Sequence, residues 1–204
     1  MLEVHDLAAR RGHAQLFKEL SFEVEPGHAL IVTGANGTGK TTLLRMLAGL
    51  TLPSAGEIRW NGETIAPFDP VLRASMTFVG HAPALKDELT TEENLRTLVA
   101  LGGEKVSADS ISSALDAVSL GSRRALPARV LSQGQRRRVG LARLSLLARR
   151  LWLLDEPATA LDAAGAAMLT GLIAAHLDRG GLAVAATHAP LGLPSAQSRS
   201  IALA

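Results

Sequence analysis

Apolar and polar residues alternate over residues 1 to 8 and again over Leu20-Ser21-Phe22-Glu23-Val24, the period of half-buried strands. Pro26-Gly27 marks a turn, and the run Leu30-Ile31-Val32-Thr33 reads as a strand leading straight into glycine-rich sequence. A helical pattern follows at Leu43-Leu44-Arg45-Met46-Leu47-Ala48. Pro53-Ser54-Ala55-Gly56 then predicts a turn, Glu57-Ile58-Arg59-Trp60 a short strand, Asn61-Gly62 a hairpin and Met76-Thr77-Phe78-Val79-Gly80 a further strand. From Thr90 to about Ala125 the period becomes helical, with Leu95, Leu98 and Leu101 on one stripe and Ile111, Leu115 and Val118 on another. Two continuous apolar runs, Leu151-Trp152-Leu153-Leu154 and Leu182-Ala183-Val184-Ala185-Ala186, suit strands covered on both faces of a parallel sheet. The expected class is therefore α/β, with a mixed sheet core, an N-terminal antiparallel sheet and an inserted helical subdomain.

Composition narrows the chemistry. The 204 residues suit one domain with a subdomain inserted. A net charge of +2 is too mild to imply a nucleic-acid partner, and the clusters Arg10-Arg11, Arg123-Arg124, Arg136 to Arg138 and Arg149-Arg150 read as solvated helix faces. Without cysteine there is no disulfide framework, thiolate metal site or covalent haem attachment. No apolar stretch reaches the roughly 18 residues of a membrane span, and the first residues lack a signal peptide's pattern, so the chain by itself is expected to be soluble and cytoplasmic.

The strand at 30 to 33 opens onto Gly34-Ala35-Asn36-Gly37-Thr38-Gly39-Lys40-Thr41-Thr42, which matches G-x-x-x-x-G-K-[ST] in the strand-to-helix context that a phosphate loop requires. The glycines let main-chain N–H groups converge on one anion, Lys40 adds a mobile charge, and Thr41 offers a hydroxyl to Mg²⁺. About 115 residues on, the apolar run from Leu151 ends in Asp155-Glu156. Asp155 can hold the Mg²⁺ shell, and Glu156 can orient and deprotonate a water in line with the γ-phosphate. An apolar run ending in Asp-Glu says little by itself; paired with a complete phosphate loop it points to nucleotide hydrolysis, with water rather than an organic hydroxyl as acceptor.

Between these elements Leu131-Ser132-Gln133-Gly134-Gln135 starts another helical pattern, Arg136 to Arg150, with Ser132 as a natural N-cap and Gly134 permitting a close approach, a second helix end suited to an anion. Here the chain resembles the ATP-binding subunits of ABC transporters. Leu131 to Gln135 is similar to their LSGGQ signature, with Gln133 at the third position, Thr159-Ala160-Leu161-Asp162 is similar to their D-loop, and His188 to their switch histidine. The resemblance covers essentially the whole chain. It implies the ABC type of P-loop fold over a single domain 1–204, with a nucleotide-binding core at 1–81 and about 131–204. The helical subdomain at about 82–130 would dock on a membrane-spanning partner. It also implies a head-to-tail homodimer with each ATP held between the phosphate loop of one subunit and the signature of the other, and His188 at the γ-phosphate.

Two departures matter. No aromatic residue stands where the family commonly stacks one on adenine; the chain reads Arg10-Arg11-Gly12-His13, where the guanidinium plane of Arg11 or an imidazole could stack on the base instead, so selectivity for a purine is left open. The glutamine that usually ends the strand before the helical subdomain is replaced by His81, in Gly80-His81-Ala82-Pro83 with Lys86 and Leu89-Thr90-Thr91-Glu92-Glu93-Asn94-Leu95 following. This resembles the ATP-binding subunit of the cytochrome c maturation transporter, the haem exporter. That resemblance implies a separate integral-membrane permease, a peripheral place on the cytoplasmic face of the bacterial inner membrane, and no nucleic acid. His81 would meet the attacking water or Mg²⁺ at one end and the partner-coupling surface at the other. The alternatives are an ABC exporter with another cargo, a soluble ABC ATPase acting on ribosomes or nucleic acid, and a small-molecule kinase; the signature and the Asp155-Glu156 pair argue against the last.

Overall fold

The computed structural model describes residues 1–203. In chain order the elements are β1 (Leu2–Arg11), β2 (Ala14–Val24), β3 (Ala29–Thr33), α1 (Lys40–Leu47), β4 (Ala55–Trp60), β5 (Glu63–Thr64), α2 (Pro70–Ser75), β6 (Met76–Val79), α3 (Thr91–Leu101), α4 (Ala108–Ala117), α5 (Gln133–Ala142), β7 (Leu151–Asp155), α6 (Ala163–Asp178), β8 (Leu182–Ala186) and β9 (Ser198–Ala202). The first sheet, in the order β2-β1-β4-β5, is antiparallel; the second runs β6-β7-β8-β3-β9, and its pairs β7/β8, β8/β3 and β3/β9 are parallel. Asn61-Gly62 closes the two-residue hairpin between β4 and β5, with Trp60 facing Glu63.

The chain divides into two compact units. One comprises Met1–Phe78, Arg149–Glu156 and the residues from Ile173 onward, and the other comprises Val79–Ala148 and Pro157–Leu172. In the first, every residue of β7 and β8 is buried, as strands packed on both faces require. Leu43, Leu44 and Leu47 of α1 bury against Leu153 and Val184 of these strands, and Leu2, Val4, Ile58 and Trp60 carry the same core into the antiparallel sheet. Each such leucine removed from water contributes about 1.5 to 3 kcal/mol. β1 slips register between Val4 and Leu7, where Asp6 takes φ 47°, and a Cβ on the facing Gly56 would overlap the His5 and Asp6 carbonyl oxygens.

His176 of α6 lies flat on Trp152 of β7, ring centroids 3.8 Å apart and 7° from parallel, with Nε2 3.1 Å from the Leu182 carbonyl. Gly181 makes room for the ring, since a Cβ there would overlap it. Burial, foremost, holds this imidazole below the usual histidine range, Arg179 pushes the same way, and carbonyl contacts at Leu182 and Arg150 act against them. A depressed pKa means the unfolded chain takes up a proton near pH 6.5 that the folded chain refuses. Stability is thus fully present above pH 6.5 and lost as pH falls through the window between 6.5 and the folded value. The melting temperature of wild type should fall more steeply from pH 7.5 to 5.5 than that of His176→Phe, which keeps a stacked ring and cannot titrate. Parallel curves in differential scanning calorimetry would contradict this.

The second unit has its own core of Leu95, Val99, Ile111, Leu115, Leu131 and Val139. Thr90 and Glu93 form a capping box that starts α3, Ser107 caps α4, and Ser132 with Gln135 forms a second capping box at α5. Asn94 is buried and ties the loop ahead of α3 down, its side-chain oxygen accepting from the Lys86 N–H and its amide donating to the Lys86 and Leu89 carbonyls. The arginine-rich helical pattern is shorter than expected: α5 ends at Ala142, a 3₁₀ turn follows over Arg143–Ser145, and Arg149 and Arg150 lead into β7.

Candidate functional site

The phosphate loop sits at the C-terminal end of β3, where ligands collect in parallel α/β sheets. Gly34 has φ 137°, and a Cβ on it would strike the Leu203 carbonyl oxygen and lie 2.9 Å from Thr38 Oγ1. Gly39, the N-cap of α1, has φ 101°, and a Cβ there would lie 3.1 Å from the Phe17 ring. Only glycine meets both demands. The loop is closed by bonds from Thr38 N–H and Oγ1 to the Ala35 carbonyl. Lys40 is 8% exposed, and its Nζ donates to the Gly34 and Ala35 carbonyls at 2.7 and 3.0 Å.

The same end of the sheet receives three chemically active side chains from β7 and β8. Asp155, the last residue of β7, is 3% exposed, and its Oδ2 accepts from Thr41 Oγ1 at 2.9 Å. Glu156 follows with φ 48°, its N–H bonded to the Ala186 carbonyl at 2.8 Å. A left-handed backbone costs a non-glycine residue roughly 1 to 3 kcal/mol, and such strain concentrates at functional sites. His188, just beyond β8, places Nε2 3.0 Å from Lys40 Nζ, 3.0 Å from Asn36 Oδ1 and 3.6 Å from Glu156 Oε1. Nε2 cannot both accept from the Lys40 ammonium and donate to Asn36 Oδ1, so the two contacts require opposite tautomers of the ring.

Thr41 and Asp155 present a hydroxyl and a carboxylate, the hard oxygen donors that suit Mg²⁺. Among the described residues no group of three His, Cys, Asp or Glu side chains could hold a metal unaided. A hydroxyl and a carboxylate fit an ion whose remaining ligands would be phosphate oxygens and water, the usual habit of Mg²⁺.

Within the second unit the signature residues occupy the start of α5. Leu131 is buried, while Ser132 and Gln133 are exposed. Ser132 Oγ accepts from the Gln135 N–H at 3.2 Å, and Gln135 Oε1 accepts from the Ser132 N–H at 2.9 Å, so the serine's own proton stays available to an anion. A Cβ on Gly134 would come within 2.5 Å of the Ala160 carbonyl oxygen, and Ala160 itself has φ 65°. His81 follows β6 with its side chain exposed and its carbonyl bonded to Arg137. Arg11 is exposed at the end of β1, in the hairpin with Ala14.

One reading of the arginine clusters is corrected. Arg137 does not belong to a solvated face: it is 3% exposed and hydrogen-bonded to main-chain carbonyls, and its neighbour Arg136 bonds Asp87 at 2.6 Å and the Ala128 carbonyl at 2.9 Å. Three consecutive arginines carry no signal of which one turns inward.

Residues 17–159 match the family model of the ABC transporter. A cytochrome c biogenesis ATP-binding export protein, CcmA, of Aromatoleum aromaticum is 51% identical over 197 residues, covering 95% of this chain and 92% of the relative. The protein of the same name from Dechloromonas aromatica is 47% identical over 203 residues and all of both chains. A solved structure of an ATP-binding protein of a putative ABC transporter from Pyrococcus furiosus superposes with a TM-score of 0.85 at 27% identity, covering 99% of this chain and 96% of that one. The fold is that of the ABC ATPases, and the chain belongs to the ABC transporter family, in the group of the cytochrome c biogenesis ATP-binding export proteins.

Proposed function

We propose that this chain is the ATP-hydrolysing subunit that energises haem export or delivery for c-type cytochrome biogenesis. It would act on the cytoplasmic face of the bacterial inner membrane beside a separate integral-membrane permease. The observation that carries hydrolysis is the convergence of Lys40, Thr41, Asp155, Glu156 and His188 at one end of one sheet. The relatives' names support the cytochrome role. Among the described residues no helix is long and apolar enough to cross a membrane, in keeping with a separate permease.

The glycine-rich loop from Gly34 to Thr42 cradles the phosphates with its N–H groups, and Lys40 exchanges its carbonyl partners for phosphate oxygens. Thr41 and Asp155 would hold Mg²⁺, which when bound offsets charge on the β- and γ-phosphates. The Glu156 carboxylate takes the proton of the attacking water as its oxygen bonds to the γ-phosphorus; the bond to the β–γ bridging oxygen breaks, leaving ADP and inorganic phosphate. His188 orients the γ-phosphate end through Nε2. Arg11 lies against the base. The signature residues Leu131 to Gln135, a separate anion-binding helix end with a free hydroxyl proton at Ser132, serve the triphosphate of a second copy, giving a head-to-tail homodimer.

His81 links nucleotide state to the permease. His81→Ala should therefore leave ATP binding and measurable ATPase activity in the isolated chain while c-type cytochrome formation fails in cells. A complementation assay run beside an ATPase assay tests it, and full cytochrome production by the variant would remove the coupling role.

A further inference from the structure

We propose that Arg137 is a positioning residue for ATP hydrolysis, locking the loop that carries His81 and the turn that follows Glu156 into one register with the signature helix. The inference rests on the hydrolytic reading above and assigns a role to a side chain that reading does not use.

Nη1 of Arg137 donates to the carbonyls of Gly80 at 2.7 Å and His81 at 3.1 Å, while Nε donates to the Pro157 carbonyl at 3.1 Å. These acceptors lie 57, 56 and 20 residues away in sequence, in two different segments. The first segment holds His81, and the second begins at the residue after Glu156. The guanidinium is planar and its donors are fixed relative to one another, so three simultaneous bonds fix the two segments relative to each other as well as to α5. A flexible ammonium would not do so.

Packing alone does not account for an arginine here. A buried guanidinium carries a desolvation cost that an apolar side chain of similar size avoids. The cost is raised by a second cation: Arg143 is held below the ordinary arginine range chiefly by burial and then by the charge of Arg137. What the arginine supplies is directed hydrogen bonds. Gly134, one helical turn before Arg137 and on the same face of α5, meets the same 157–160 turn through the Ala160 carbonyl, at a distance that excludes any side chain. The first two turns of the signature helix therefore grip the segment after Glu156 at two points, and Arg137 extends that grip to the His81 loop.

The test uses the full-length chain with Arg137→Met, Arg137→Lys and Arg137→Gln, assayed for MgATP hydrolysis well below each variant's melting temperature. A small displacement of a catalytic group costs on the order of 10²-fold in rate. Met and Lys, which lose the fork, are expected to lower kcat by about 10- to 100-fold with KM for ATP within about twofold of wild type. Gln, which keeps two amide donors, should recover part of the loss. A kcat within twofold of wild type in folded Met or Lys variants would overturn the proposal. So would a parallel collapse of kcat, KM and melting temperature in all three, which describes a structural staple. Failure of wild type itself to hydrolyse ATP would strike the hydrolytic reading instead, before any variant is compared.

Discussion

Glu156→Gln is expected to bind MgATP as wild type does and to hydrolyse it about 10² to 10⁴ times more slowly, the usual span for loss of a general base. The substitution is nearly isosteric. The strained backbone at φ 48° and the bond from the residue 156 N–H to the Ala186 carbonyl should persist, so the change isolates proton acceptance from architecture. Oε1 of Glu156 lies 3.6 Å from His188 Nε2, and an amide can keep a polar contact there while it cannot take a proton from water. Single-turnover hydrolysis beside equilibrium nucleotide binding separates the two steps. Wild-type turnover by the variant would remove Glu156 from the chemistry.

Lys40→Ala should fail at the earlier step. Lys40 is buried in the loop it serves, and its Nζ holds the Gly34 and Ala35 carbonyls while meeting His188. Its removal takes away both the charge directed at the phosphates and the clamp that shapes the loop. Truncating one partner of a buried, hydrogen-bonded charge pair costs about 2 to 5 kcal/mol of binding, here a factor of roughly 10² to 10³. Titration with a fluorescent nucleotide should show affinity falling by that order, with hydrolysis lost in consequence. The two variants therefore differ in kind, and unchanged nucleotide affinity in Lys40→Ala would contradict the role given to the loop.

The elements that place this site were legible because their signals are local. The phosphate loop needs glycine at particular backbone angles, and β7 and β8 are apolar without alternation because both faces are covered. Other elements escaped for physical reasons. α6 is rich in alanine, contains Gly165 and Gly171 and shows no clear polar face, so it has no helical stripe to read. β9, largely polar and only partly covered, lacks the alternation of a half-buried strand. α2 has only six residues, although Asp69 caps it and Pro70 starts it. Arg137 was unreadable because the burial of one arginine among three depends on carbonyls 20 to 57 residues distant, which no local pattern encodes.

Whether hydrolysis by this chain powers c-type cytochrome formation can be measured in a bacterium lacking its own subunit of this kind. Wild type and Glu156→Gln would be expressed to equal levels, and covalently bound c-type haem would be measured. Wild type is expected to restore c-type cytochromes, and Glu156→Gln, present at the membrane in the same amount, is expected not to. Full restoration by Glu156→Gln, or none by wild type beside its cognate permease, would contradict that role for hydrolysis.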